Sequence, residues 1–167
     1  MNTAVDRDAL TTYLNDHLGG AAAALQLLEH MSARETGENR SFYAGLLQDV
    51  TADRETLEDL IHRVGTPSTI REVGGWLAEK AHRLKMLWDD PASDQFHEFE
   101  ALELLHIGIF GKRSLWRALN RVCAGIPALQ NVDFKRLEQR ADEQLARVEV
   151  RRLASAERAL AGGAASV

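Results

Sequence analysis

The chain has 167 residues, 45% of them hydrophobic and 27% charged, the size and mix of one globular domain with a sizeable core. A net charge of −5 with both signs interspersed excludes a broad basic surface for nucleic acid or anionic lipid. Prolines are few while Ala, Leu, Glu and Arg abound, which favours helix, and Cys123 stands alone, so no internal disulfide can form and a reducing, cytoplasmic setting is expected.

No stretch approaches the roughly 18 apolar residues of a membrane span. The opening MNTAVDRDAL carries acids and has no basic segment followed by an apolar one, so a signal peptide is not expected.

Five helical segments follow in order. The first runs from about Asp6 to Arg34, with Leu10, Leu14, Ala21, Ala24, Leu28 and Met31 spaced by threes and fours and His17 filling the remaining place. Gly37 then offers a C-terminal stop. The second runs from about Asn39 to Val64 on a stripe of Phe42, Leu46, Val50, Leu57, Leu60 and Val64, and Gly65-Thr66-Pro67 ends it. The third opens on the capping box Thr69-Ile70-Arg71-Glu72 and runs to about Trp88, where Asp89-Asp90-Pro91 stops it. The fourth covers about Asp94 to Val122. Ala124-Gly125-Ile126-Pro127 breaks the chain, and the fifth runs from near Asp133 to about Leu160. Residues 161–167 form a small, fraying tail to a single domain over 1–167.

Short links join the first helix to the second and the fourth to the fifth, so each pair is expected as an antiparallel hairpin, with the shorter third helix in the crossover. In this order of elements the chain resembles the ferritin-like superfamily in its divergent bacterial branches. TYLNDHLGGAAAALQLLEH, LLQDVTADRETLEDLIHRVG, LELLHIGIFGKRSLWRAL and RLEQRADEQLARVE carry the likeness. The resemblance implies an all-α, ferritin-like four-helix bundle with an extra helix in the crossover. Metal-binding members of that superfamily hold two metal ions with a Glu from each of two helices and a Glu-x-x-His from each of the other two, all pointing inward.

Helical phase, at about 100° per residue, tests whether those ligands point inward. The first helix centres on Ala21, with His17 inside the arc and Asp16 on the far side. The second places Asp53 near the centre and Asp49 beside it, but position 52 is Ala52, so no His follows. The fourth contains a literal Glu-x-x-His, Glu103 to His106. Its arc centres near Gly108 and includes Leu104, Leu105, Ile109, Trp116 and Ala118, which puts Glu103 and His106 on a solvated face beside Arg113 and Arg117. His97 and Glu100 fall within the arc near the helix start. The fifth turns Phe134, Leu137, Ala141, Leu145 and Val148 inward, with Leu145 in the imidazole's place.

Helices four and five thus supply no clear ligand at mid-bundle. Gly19, Gly20, Ala21, Gly108 and Gly111 predict closer backbone packing there instead. His17 with Asp49 and Asp53 is the best polar constellation. It reads first as a buried His–carboxylate hydrogen bond, and second as a single metal ion on three N/O ligands. Lys112, Arg113, Arg117 and Arg121 give the fourth helix a basic edge. Arg147, Arg151, Arg152 and Arg158 do the same for the fifth. His30, His62 and His82 read as surface histidines, Cys123 as a small buried hydrophobe, and Trp76, Trp88 and Trp116 as packing residues.

The leading functional expectation is a non-catalytic bundle with a degenerate metal site and no cofactor, structural or partner-binding, acting as a homodimer and without nucleic acid or membrane. The family resemblance adds an association with stress. The alternative is a non-haem iron oxidase or ferroxidase that draws on His17, Asp49, Asp53, Glu103 and His106, with Glu100 in reserve.

Overall fold

The computed structural model describes residues 6–65 and 94–161. Four long helices occupy them: α1 (Arg7–Arg34), α2 (Gly37–Val64), α3 (Asp94–Val122) and α4 (Phe134–Leu160), with no strand among the described residues. The third predicted helix, with Trp76, His82 and Trp88, lies outside the described residues, so α3 and α4 are the fourth and fifth predicted helices.

The helix ends follow from local chemistry. Asp6 caps α1 by accepting from the Ala9 N–H at 3.0 Å, and Asp133 caps α4 by accepting from the Arg136 N–H at 2.9 Å, contacts worth about 1 kcal/mol each. Gly65 ends α2 in the left-handed region at φ +76, and its N–H reaches the carbonyls of Ile61 and His62. Gly37 is not the stop of α1: extended Glu35 and Thr36 form the whole link, and Gly37 opens α2 at φ +57. Two 3-10 turns, Cys123–Gly125 and Pro127–Leu129, make the break between α3 and α4.

The side-chain ladder between helices fixes their directions. α1 and α2 pack as a hairpin across the two-residue link, and α3 and α4 as a second. Glu103 meets Arg152, Arg113 meets Asp142 and Arg117 meets Glu138, so α3 and α4 run antiparallel. Asn39, Asp49 and Asp53 of α2 meet Arg151, Arg147 and Gln144 of α4 in reversed order, so these two also run antiparallel. It follows that α2 and α3 are parallel. The Gly65 end of α2 and the Asp94 start of α3 therefore lie at opposite ends of the bundle. α1 lies beside α3, and α2 meets α4 through long polar side chains, so the two hairpins share one interior.

That interior is mostly apolar. Leu14, Leu28, Leu46, Leu60, Leu105 and Leu119 are essentially inaccessible to solvent, and Trp116 tilts over Phe134 at 6.4 Å between ring centres. Each such side chain contributes roughly 1.5–3 kcal/mol by leaving water. Ala118, expected inside, is exposed.

Candidate functional site

At the middle of the bundle the apolar layers are interrupted by charge. Asp53 is 2% exposed on α2, Gln144 is 1% exposed on α4, and the Lys112 side chain, reaching in from α3, is 14% exposed. Lys112 Nζ donates to Asp53 Oδ2 at 2.5 Å and also to Gln144 Oε1, while Gln144 Nε2 donates to the same Asp53 oxygen at 3.0 Å. The three side chains close a triangle that only one orientation of the Gln144 amide completes. Arg140 brings a second cation: its Nη2 lies 2.8 Å from Asp53 Oδ1, out of line for a hydrogen bond, and also donates to the Asp49 carbonyl at 3.4 Å.

The electrostatics follow from burial. Desolvation pushes the Lys112 ammonium below its ordinary value, and Asp53 pulls it back. Removing one member of such a pair leaves the other as an uncompensated buried charge.

A second polar layer lies one end away. Glu98 of α3 accepts from the Tyr43 hydroxyl at 3.2 Å and from Ser155 Oγ at 3.3 Å, and pairs with Arg158 at 2.8 Å. Tyr43 and Ser155 are fully buried. Burial, and then the neighbouring Glu98 carboxylate, raise the Tyr43 phenol far above its ordinary range.

The structure separates the residues that the sequence reading grouped. His17 does not pair with Asp53, whose partners are Lys112, Gln144 and Arg140. It packs edge-on against Tyr13 with its ring centre 4.9 Å away, and its Cε1 faces Gly111 of α3. Burial lowers its pKa, and Asp16 partly opposes that shift. Asp49 lies on the α2–α4 seam and is held by Arg147. Glu103 and His106 do point away from the core, but not into solvent: both are half-buried along the α3–α4 seam, against Arg152 and Glu149 respectively. The basic edges are seams too, because Lys112 turns inward and Arg147, Arg151, Arg152 and Arg158 each find a partner on a facing helix. His97 is buried and Glu100 half-buried near the start of α3. His62 is exposed and His30 half-buried, and half-buried Cys123 donates its thiol to the Asn120 carbonyl at 3.2 Å.

The sequence reading missed Lys112 and Gln144. Both sit in the alternating spacing of their own stripes: Leu105, Ile109, Lys112, Trp116, Leu119 on α3, and Leu137, Ala141, Gln144, Val148 on α4. That spacing was the available signal.

Among the described residues no three His, Cys, Asp or Glu side chains converge to hold a metal ion. The donor set does not fit one either. The buried Asp53 carboxylate already faces two protein cations, and an ammonium stands where an incoming metal would need an anionic or neutral donor. A match to the chain is found neither among protein-family models, nor among characterised proteins, nor among solved structures.

Beside the triangle the wall opens. Gly20, Ala21 and Ala24 of α1 face Gly108, Ile109 and Trp116 of α3 across a cavity that Asp53, Arg54 and Lys112 also line. Along this seam the backbones of α1 and α3 come closer than those of α2 and α4, but at Gly108 the small residues leave space, since a Cβ built there would meet nothing within 4 Å.

Proposed function

We propose that this chain is a metal-independent bundle of ferritin-like topology that acts by self-association rather than by redox catalysis. The observation that carries this reading is the Lys112 ammonium bound to Asp53 and Gln144 at the centre of the bundle. A fixed cation of the protein's own balances the buried carboxylate that a metal would otherwise have to balance. The parallel run of α2 and α3 supports the topology: two antiparallel hairpins joined by one long crossover is the ferritin-like arrangement.

The surface supports self-association. Ile107 and Phe110 on α3 and Val150 and Leu153 on α4 are large apolar side chains about half exposed or more. They lie at the level of the Glu103–Arg152 and His106–Glu149 pairs. A patch that carries apolar groups with both acids and bases at its rim is complementary to a second copy of itself about a two-fold axis.

The test has two parts. Elemental analysis after aerobic loading with ferrous iron is expected to find no stoichiometric iron, and sedimentation velocity is expected to find a dimer that Phe110→Asp turns into a monomer. About two irons per chain, as a complete dimetal site would take, overturns the metal-independent half. A wild-type monomer at all concentrations overturns the other.

A further inference from the structure

At the end of the bundle where α1 begins and α2 ends, the break between α3 and α4 passes beside a cavity of about 220 Å³. Its floor is apolar: Leu10 and Val64 are buried, and Ile126 and Ala128 are half-buried. Its rim is cationic. Exposed Arg7 of α1 and exposed Arg63 of α2 both line it, and among the described residues no carboxylate does.

The two guanidiniums are held differently. Arg63 Nη2 donates to the Gln130 carbonyl at 2.8 Å and Nη1 lies 3.6 Å from Asp59, so this fork is fixed against the α3–α4 link. One hydrogen bond leaves a five-donor fork able to make more. Arg7 has no ion pair or side-chain hydrogen bond among the described residues. It stands in the first turn of α1, the positive end of the helix dipole, where a cation is disfavoured, and the neighbouring Asp6 is engaged as the cap. The helix itself therefore gains nothing from a guanidinium there. Arginine forks match the planar oxygens of a carboxylate, and the buried side chains below them match an apolar body. Drug-sized ligands fill roughly 300–1,000 Å³, so 220 Å³ suits a smaller molecule, of roughly ten heavy atoms.

We propose that this cavity binds a small monocarboxylate with an apolar body, of the size of a simple aromatic acid. The carboxylate oxygens accept from Arg7 and Arg63, and the body lies against Leu10, Val64 and Ile126. The site is at the end of the bundle, lined by neither the Lys112 triangle nor the Phe110 patch, so it rests on neither the metal-independent reading nor self-association.

The experiment titrates benzoate into the full-length protein at constant ionic strength. The readout is the backbone amide resonances of Leu10, Val64 and Ala128. Benzyl alcohol carries the same body without the charge, and inorganic phosphate carries charge without the body. A saturable shift with a Kd on the order of millimolar is expected, the scale open to so few heavy atoms. Arg7→Gln removes an exposed side chain without a partner, keeps the fold, and is expected to weaken binding about five- to tenfold. Arg7→Glu, whose charge suits the start of a helix, is expected to lose saturable binding altogether. No saturable shift at these amides overturns the proposal. So does equal affinity for benzyl alcohol, which would mean a purely apolar occupant, equal affinity for phosphate, which would mean a bare anion site, or unchanged binding in Arg7→Glu.

Discussion

Two seams of the bundle meet the same interior and are built on opposite principles. The α2–α4 seam is polar: Asn39, Asp49 and Asp53 face Arg151, Arg147, Arg140 and Gln144. The α1–α3 seam is small and apolar, with Gly20, Ala21 and Ala24 facing Gly108 and Ile109, and His17 over Gly111. Charged partners with specific geometry pin the sliding register of two helices, whereas alanines and glycines tolerate many registers. One seam therefore sets alignment and the other leaves room. Lys112 belongs to both, since it stands on α3, lines the cavity and bonds across to α2 and α4.

The comparison breaks most sharply at Asp53. Asp53→Ala leaves Lys112 buried without its counter-charge and is expected to lower unfolding free energy by about 3–5 kcal/mol, read by chemical denaturation. Adding Lys112→Met should recover most of that loss, because two apolar groups in place of a buried ion pair are often close to neutral. If the double variant is no more stable than Asp53→Ala alone, the ion pair is not what holds the polar seam.

The other seam should respond in the opposite direction. Gly108→Ala adds a methyl to open space and removes a helix-interior glycine, so a gain of roughly 1 kcal/mol is expected in the same assay. A loss there would mean that the helices approach more closely at Gly108 than the cavity implies.

Along the polar seam the effect should fade toward the rim. Arg147 is about half exposed, so Arg147→Ala is expected to cost no more than about 1 kcal/mol, less at high salt. A cost as large as that of Asp53→Ala would move the centre of the seam outward.

The smallest effect is a slope. The lowered pKa of His17 means that, as pH falls through the ordinary value of 6.5, the unfolded chain takes up a proton before the folded one does. Stability should fall with pH from that value down to the lowered one and then level off. His17→Gln should flatten that part of the melting-temperature profile, and an unchanged profile would place the imidazole in water rather than over Gly111.

Much of this was legible in the chain, and the failures share a cause. Asp53 could be read as inward because Leu46, Val50, Leu57 and Leu60 define an arc that contains it. Its partner could not be read the same way. His17 was the obvious candidate, being a polar residue on an apolar stripe of the adjacent hairpin helix. Lys112 sits in an equally good place on its own stripe, but a lysine beside Arg113 reads as surface, because a long stem can carry its charge either way. Gln144 was hidden by Leu145, one position on, which occupies the arc's edge at half burial while Gln144 takes its centre. The glycines were legible only in part: α1 and α3 do come closer than α2 and α4 along the small-residue seam, yet at Gly108 they leave open space.

By itself the sequence determined the four described helices to within two residues at each end, since caps, stops and stripe spacing act within a turn or two of the chain. It also determined that a carboxylate would be buried at mid-bundle. Only the tertiary structure decided what balances that carboxylate and what lies beside it. Asp53 is 59 residues from Lys112 and 91 from Gln144, and no local rule reaches across such distances. The choice was made by the packing of the two hairpins against each other, which sets a lysine, a glutamine and an empty volume against one buried acid.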